Sequence, residues 1–329
     1  MHKAFQHKMK LDSEWVVIHR LALLSGFEPQ NVHCCINSCI AYTGHYIHDE
    51  SCPFCKEARY TSRGRPRRTF LYIPLIPRLQ ALFHNPTMIE QMAYRQNFAP
   101  SDRVIRDVFD GNWYRQLCSR HVVIDSVKRR HKYFDKQHDI ALALSADSYL
   151  LFKRRRGGPS ATPIILQNFN LPPQIRTRLE NLICVGVIPG PHQPKDIESF
   201  LVPFDDECAL LADGVRTFDA CTKSHFDLHA YVIFEDGDIV AIEKLLNIKG
   251  HNAIYPCQSC EIHGVRNITG RGTVYYTPLG TPDLDHQPRP SLDPHNLPLR
   301  SHQSYLEMHH ELKVSTVKEK AIIAKQSGI

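Results

Sequence analysis

The sequence contains no long run of apolar residues. No stretch approaches the roughly 18 consecutive apolar residues that a membrane-spanning helix requires, so we expect no transmembrane segment. The first ten residues lack the apolar core of a secretory signal. We therefore expect the protein to be kept in a reducing compartment, where its 11 cysteines are not expected to form a disulfide framework.

Neither sign of charge dominates the chain. The formal net charge is +6 and charged residues make up 22% of the sequence, which is typical of a soluble globular protein. Such a mildly basic balance is compatible with a nucleic-acid partner but does not require one. A length of 329 residues is enough for two domains, or for one large core with attachments.

The distribution of apolar, basic and turn-forming residues divides the chain into five regions. We predict an N-terminal helix in 1–30, a cysteine-rich module in 31–60, a basic linker and helical region in 61–136, an α/β core in 137–268, and an extended segment followed by a charged helix in 269–329. Within the core, strands are predicted at 139–147, 163–169, 185–191 and 226–234, and helices at 174–184, 197–213 and 238–247.

The cysteine-rich module contains two closely spaced pairs, Cys35 with Cys39 and Cys52 with Cys55. Two short-spaced pairs on tight turns can converge into a tetrahedral thiolate site for zinc. The alternative is a set of buried free cysteines that act as small apolar residues. The reducing compartment and the paired spacing favour a structural zinc in a module like a zinc ribbon.

Two aspartates, Asp147 and Asp238, each come shortly after a predicted buried strand. In nucleases and transposases of the RNase H-like class, the first strand and the end of the fourth strand supply two carboxylates that share Mg²⁺ or Mn²⁺. Taken singly, Asp147 is equally typical of a turn and Asp238 of a helix cap. Asp236 competes for the second position, whereas Asp139 lies at the opposite end of its strand. We therefore expect a partial RNase H-like core, a mixed sheet with flanking helices.

A further cysteine pair, Cys257 and Cys260, follows the helix predicted after Asp238. A single pair lacks two of the four ligands of a zinc site. Metal binding and a structural thiol pair therefore both remain open here. His263 lies too near in sequence to be a clear third ligand, and His309 and His310 are more distant candidates.

Three basic clusters are candidates for phosphate contacts, although a run of charges is usually a solvated face. Their members are Arg65, Arg67 and Arg68; Lys128, Arg129 and Arg130; and Lys153, Arg154, Arg155 and Arg156.

The order of these motifs resembles the transposases of CACTA (En/Spm-type) elements in their fungal form. The resemblance covers roughly two thirds of the chain. It is carried by Cys35-Ile-Asn-Ser-Cys39-Ile-Ala-Tyr-Thr-Gly44, Cys52-Pro-Phe-Cys55-Lys-Glu-Ala-Arg-Tyr60, Tyr72-Ile-Pro-Leu-Ile-Pro-Arg-Leu79, Asp107-Val-Phe-Asp-Gly111, Asp139-Ile-Ala-Leu-Ala-Leu-Ser-Ala-Asp147, Val187-Ile-Pro-Gly-Pro191, Gly214-Val-Arg-Thr-Phe-Asp219 and Lys249-Gly-His-Asn252 with Cys257 and Cys260.

The resemblance implies cut-and-paste transposition in which two aspartates and one glutamate hold divalent metal ions. The family's Asp-Gly-Phe motif reads Asp147-Ser148-Tyr149 here, and its Asp-x-Pro-Ala motif reads Asp238-Ile-Val-Ala241. Both acids are kept while their neighbours differ. The implied partners are DNA at the element ends and further copies of the chain, and the implied location is the nucleus.

The glutamate that the resemblance implies as the third metal ligand has no clear counterpart in this sequence. Glu307 and Glu311 are the only late helical candidates, and neither is a convincing match. We therefore expect an incomplete core that lacks strand-transfer activity. The alternative function is that of a domesticated or relic zinc-dependent DNA-binding protein without catalysis.

Overall fold

The computed structural model describes residues 16–17, 27–101, 103–151, 160–246, 248–250, 253–266, 275–276, 293 and 295–328. The chain forms two compact units, residues 1–236 and 237–329, and each is described by itself. Apart from residues 16–17, the helix expected before Gly26 lies outside the described residues. None of the described helices is both long and apolar enough to cross a membrane.

The strands of the described residues are numbered in chain order. They are β1 (Gln30–His33), β2 (Thr69–Tyr72), β3 (His121–Ile124), β4 (Val127–Lys132), β5 (Ile140–Ala146), β6 (Tyr149–Leu150), β7 (Ser160–Asn168), β8 (Ile183–Pro189), β9 (Val215–Asp219), β10 (Ser224–Leu228), β11 (Ala230–Glu235), β12 (Val265–Arg266) and β13 (Tyr275–Tyr276).

The α-helices are numbered in the same way. They are α1 (Ile76–Leu82), α2 (Pro86–Met92), α3 (Tyr94–Asn97), α4 (Asn112–Ser119), α5 (Pro173–Arg176), α6 (Glu198–Asp213), α7 (Ile239–Leu245), α8 (His302–Val314) and α9 (Val317–Ser327). Short 3-10 turns occupy Gly44–Tyr46, Val108–Asp110 and Leu179–Asn181.

A mixed sheet forms the centre of the first unit, with the strand order β1-β2-β8-β7-β5-β11 and β6 on the edge of β7. β5, β7 and β8 are antiparallel neighbours, whereas β11 runs parallel to β5. The apolar run of β5 is almost fully buried, as its sequence predicted for a strand covered on both faces. The mixed α/β class expected from the sequence is therefore confirmed.

The single strand predicted over 226–234 is in fact two strands separated by His229. β10 pairs with β9 in a small separate sheet, and β11 joins the main sheet beside β5. The His229 ring is 2% exposed and lies so close to Gly214 that a β-carbon there would be 2.9 Å from Nε2. An uninterrupted apolar run in sequence does not reveal that its two halves pair with different partners.

The region expected to be mainly helical, 61–136, also contains strands. β3 and β4 form a hairpin whose two turn residues, Asp125 and Ser126, both have positive φ values of 48° and 64°. Two successive residues of this kind make the turn that matches the twist of paired strands. Asp-Ser is a weak signal for such a turn compared with Asn-Gly, so the sequence predicted helix here.

The buried Arg95 of α3 fixes the chain where it enters β5. Its guanidinium donates to the carbonyl oxygens of Lys136, Gln137 and Asp139 at 2.7–3.0 Å. The same group lies over the ring of Phe134, with Cζ 5.3 Å from the ring centroid. Since a buried charge is stabilised only when its donors are satisfied, these contacts hold the 136–139 turn against the core.

The second unit contains α7, α8 and α9. The single helix expected over 303–326 is interrupted between Ser315 and Thr316. Thr316 starts α9 as a capping box with Glu319, each side chain accepting from the other residue's backbone N–H. The cap satisfies amide donors that a continuous helix would satisfy internally, so the chain can begin a new helix at this point.

Gly186 joins β2 to β8, where Tyr72 is its partner. A β-carbon at this position would lie 2.5 Å from Cζ of Phe70. We predict that Gly186→Ala destabilises the protein by about 1–3 kcal/mol, the usual cost of overpacking a core. The free energy of unfolding from urea denaturation measures this. Val187→Ala on the same strand, where the side chain is 44% exposed, should change it by less than about 0.5 kcal/mol. Equal effects of the two substitutions would contradict the prediction.

Candidate metal centre and strand-end carboxylates

The four cysteines of the predicted zinc module come together in the structure. The Sγ atoms of Cys35, Cys39, Cys52 and Cys55 all lie within 4.8 Å of one another, and those of Cys35 and Cys55 are 3.4 Å apart. Zinc–sulfur bonds of about 2.3 Å in a tetrahedron place sulfurs about 3.8 Å apart. The donor set and its spacing therefore fit a metal such as zinc.

Two tight turns present these sulfurs. The backbone N–H of Asn37 donates to Sγ of Cys35 at 3.3 Å. Ser38 and Lys56 both adopt left-handed backbone, with φ values of 61° and 63°, and so reverse the chain beside each pair. Amides that face sulfur favour the thiolate form, which is the form that binds metal.

The thiols differ in acidity in the metal-free protein. Burial raises the pKa of Cys35 to about 11 and also raises that of Cys39. Burial acts in the same direction on Cys55, but hydrogen bonds from the Glu57 amide and from the Asn37, Cys35 and Cys52 side chains outweigh it and bring its pKa to about 7. Cys55 thus ionises more readily than Cys35 or Cys39.

The cysteine module packs directly on the sheet of the same unit. Ser38 Oγ donates to the carbonyl oxygens of Pro189 and Gly190 at the end of β8. The carbonyl oxygen of Cys39 accepts from the amides of Lys195 and Asp196 at 2.9 and 3.1 Å. The four-cysteine group therefore lies against the segment that connects β8 to α6.

Asp147 lies immediately after β5 and is exposed. Its Oδ1 accepts from the amide of the next residue, Ser148, at 2.7 Å. Asp147 thus lies in a two-residue break between β5 and β6, both of which pair with β7, and its role as a metal ligand stays a prediction. Since that contact uses one carboxylate oxygen, the geometry is compatible with a cation at the other.

Asp238 lies in the second unit, where it caps α7. Its Oδ1 accepts from the amides of Val240 and Ala241 at 3.0 and 2.8 Å. The competing Asp236 ends the first unit, donates its amide to the carbonyl oxygen of Leu144 at 2.7 Å and accepts from Gln167 Nε2 at 3.4 Å. The helix-cap interpretation of Asp238 is confirmed, and its pairing with Asp147 around a metal stays a prediction.

Other acids near these strands have distinct surroundings. Asp139, 1% exposed, precedes β5 at the end opposite Asp147, and its Oδ1 lies 3.3 Å from Nδ1 of His229. Glu235 is the last residue of β11. The sequence does not mark it as a candidate site residue, because no pattern distinguishes it from the rest of the strand. Burial, and then the Glu198 carboxylate, raise the pKa of Glu235. Perturbed carboxyls of this kind mark candidate functional positions.

The late candidates for a third acid, Glu307 and Glu311, are exposed on α8 of the second unit. Glu307 accepts from Gln303 Nε2 at 2.8 Å, one helical turn away. That contact is typical of a solvated helix face.

The second cysteine pair shows one feature of a metal-binding turn, because the amide of Ser259 lies 3.4 Å from Sγ of Cys257. Burial raises the pKa of this thiol, but the Ser259 amide and the Cys260 thiol lower it by more. Among the described residues, no third histidine, cysteine or carboxylate joins the pair. Metal binding by Cys257 and Cys260 thus stays a prediction.

The first basic cluster serves in part to hold the cysteine module together. Arg67 forms an ion pair with Glu57 at 2.6 Å, and Arg68 donates to the carbonyl oxygen of Ile36 at 2.7 Å. Arg65 is exposed. Of the three, Arg65 is therefore the best placed to contact a phosphate.

The second cluster lies on β4, where the side chains alternate between two faces. Arg129 pairs with Asp213 at 2.7 Å, whereas Lys128, Arg130 and the neighbouring Lys132 are exposed. Strand periodicity thus separates the ion-paired Arg129 from three exposed cations on the other face. The third cluster, 153–156, lies outside the described residues.

The four-cysteine site leads to a matched pair of variants. We predict that Cys52→Ser abolishes binding of one zinc per chain, because a tetrahedral thiolate site loses a ligand. Cys34→Ser serves as the control, since Cys34 is equally buried but lies outside the group. Zinc content of the purified variants by atomic absorption measures the effect. Retention of zinc by Cys52→Ser, or equal loss in both variants, would refute the assignment.

Zinc affinity should rise with pH. The thiols of Cys35, with its pKa of about 11, and Cys39, whose pKa is also raised, are protonated near neutral pH in the metal-free protein. Zinc takes thiolates, so binding releases these protons, and affinity should increase by about tenfold per pH unit for each proton released. Competition with a chromogenic chelator at several pH values tests this. An affinity that stays constant across neutral pH would contradict it.

Comparison with known proteins gives a family match, which covers much of the sheet. A search of curated proteins finds no match for this chain. Residues 120–280, from the β3–β4 hairpin through β5, β7, β8 and β11 and past α7, match the sequence model of transposase family tnp2. This stretch is just under half of the chain and contains both Asp147 and Asp238. Over these residues the protein is similar to transposase family tnp2, and the match supports a transposase family for the chain.

Proposed function

We propose that this protein is a DNA transposase of the CACTA type, with an RNase H-like core that acts on phosphodiester bonds through divalent metal ions. The observation that carries the proposal is the parallel pairing of β5 and β11 within the stretch similar to a transposase family. Asp147 follows the first of these strands, and Asp238 follows the second by three residues.

The strand order supports the RNase H-like assignment. β5, β7 and β8 are successive antiparallel neighbours in the main sheet, α6 follows β8, and β11 returns parallel to β5. A first strand that lies beside a parallel fourth strand brings their carboxyl ends to one edge of the sheet. Carboxylates from these strand ends are the ligands expected for an RNase H-like metal site.

Asp147 and Asp238 would hold Mg²⁺ or Mn²⁺, whose preference for hard oxygen ligands suits carboxylates. The ions would supply charge stabilisation as water or a 3′-OH attacks a phosphodiester. By holding the ions, the two aspartates would orient the attacking oxygen and the phosphodiester. Glu235 is a further carboxyl at the end of β11.

The zinc module, in this proposal, is a structural element. It packs on the β8–α6 connection through Ser38 and the Cys39 carbonyl oxygen, so a bound zinc would stabilise the side of the sheet formed by β1 and β2. DNA at the element ends is the proposed partner, with self-association of the chain and a nuclear location as companion predictions.

A DNA-binding protein without catalysis is the second candidate. Both functions use zinc at the four cysteines, but only the enzyme needs a divalent ion at Asp147 and Asp238. The expectation that this chain by itself lacks strand-transfer activity also stays a prediction. Metal-dependent DNA cleavage by the purified protein, abolished by Asp147→Asn, would refute that expectation.

Mn²⁺ titration of the zinc-loaded protein separates these candidates. We expect Asp147→Asn and Asp238→Asn each to weaken Mn²⁺ binding by at least about tenfold, since changes to outer-shell partners alone cost that much. Asparagine is an equally good helix cap, so Asp238→Asn should leave α7 intact. Asp236→Asn is the matched control and should keep wild-type affinity. Unchanged Mn²⁺ binding in the Asp147→Asn variant would rule out the proposed metal site.

A further inference from the structure

A cavity of about 350 Å³ lies between the β3–β4 hairpin, α4 and β11. Its size is at the lower end of the range of about 300–1,000 Å³ for small-molecule pockets. This suits one nucleotide better than a folded partner. Its wall includes Trp113, Arg120, His121, Val123, Tyr133 and Tyr231.

An unusually exposed tryptophan forms part of this wall. Trp113 is 51% exposed, yet its Nε1 donates to the carbonyl oxygen of Ile233 at 3.1 Å, which fixes the ring beside β11. The Arg120 guanidinium lies over the same ring, with Cζ 5.5 Å from its centroid. A fixed, exposed ring beside a cation is the arrangement on which nucleobases stack in single-strand binding proteins.

Two further rings extend the aromatic surface. Tyr133 and Tyr231 meet edge to face, with centroids 4.8 Å apart. Tyr231 is 5% exposed and belongs to the core of the unit, so it provides a rigid base for the cavity.

The cations of β4 lie directly beside the cavity. Lys128 is the strand partner of Val123, and Lys132 is the strand partner of His121, both of which line it. Side chains of paired residues lie on the same face of a hairpin, with β-carbons about 4.5–5.5 Å apart. Lys128, Arg130 and Lys132 are thus an exposed cationic strip next to an aromatic pocket.

The opposite face of β4 is already occupied by contacts within the unit. Arg129 pairs with Asp213, and His131 Nε2 lies 2.9 Å from the carbonyl oxygen of Ala212. The three cations of the strip face away from these contacts, and their charge is complementary to phosphate.

We infer that this cavity binds one unstacked base of a DNA strand whose phosphates lie along Lys128, Arg130 and Lys132. The inference rests on the proposed DNA partner and names the base-binding site within it. A polypeptide strand added to β11 fits less well, because Trp113 already takes the Ile233 carbonyl oxygen that such a strand could use.

The test uses the full zinc-loaded chain and two fluorescent probes, a short single-stranded oligothymidylate and an abasic strand of equal length and charge. Fluorescence anisotropy at low salt gives both affinities. The wild type should bind the base-containing strand about 5- to 100-fold more tightly, the range expected for one stacked base. Trp113→Ala should remove this preference and leave the abasic affinity unchanged, and Trp113→Phe should retain much of it.

A double variant, Lys128→Ala with Arg130→Ala, should weaken both strands equally and reduce the salt dependence of binding. Arg178→Ala, which removes an exposed cation outside the hairpin, is the matched control and should match the wild type. Equal binding of the two probes by the wild type, or a preference that persists in Trp113→Ala, would overturn the base pocket and leave the DNA partner standing. Binding of neither probe would refute both the DNA partner and the pocket.

Discussion

The parallel pairing of β5 with β11 is the constraint on which the first unit depends. β5 is buried, so the backbone N–H and C=O groups along both of its edges need hydrogen-bond partners. The chain supplies β7 from nearby sequence and β11 from about 90 residues later. The chain returns through β7, β8, α6 and the β9–β10 pair, and β11 then runs parallel to β5. The carboxyl ends of β5 and β11, where Asp147 and Glu235 lie, are therefore at the same edge of the sheet.

A second consequence concerns the cysteine module. Because β1 and β2 extend the same sheet through Gly186, the four thiols belong to the structural unit that carries β5 and β11. Ser38 and Cys39 add hydrogen bonds to the β8–α6 connection. A metal bound there would stabilise a segment with little apolar core of its own, and part of the neighbouring basic cluster is used for the same purpose.

In the β3–β4 hairpin, the alternation of side chains along β4 distributes a run of basic residues over two faces. Consecutive basic residues on a strand point to opposite faces, so Arg129 pairs with Asp213 on one face while Lys128 and Arg130 are exposed on the other, beside the aromatic cavity. The β11 edge of that cavity is occupied by Trp113, whose indole takes a carbonyl oxygen of the edge strand. Such a cover is one way in which a sheet protects an edge against unwanted pairing.

The sequence by itself determined the four-cysteine group, the buried strand β5, the helix α6 and the cap at Asp238, because each depends on local spacing or periodicity. It could not determine that residues 226–234 divide at His229 between two sheets, or that 121–132 form a hairpin, since strand partners lie far away in sequence or depend on weak turn signals. Only the tertiary structure decided which arginines are paired and which cations face outward. Ion pairs such as Arg129 with Asp213 join residues more than 80 positions apart, and no local pattern encodes that contact.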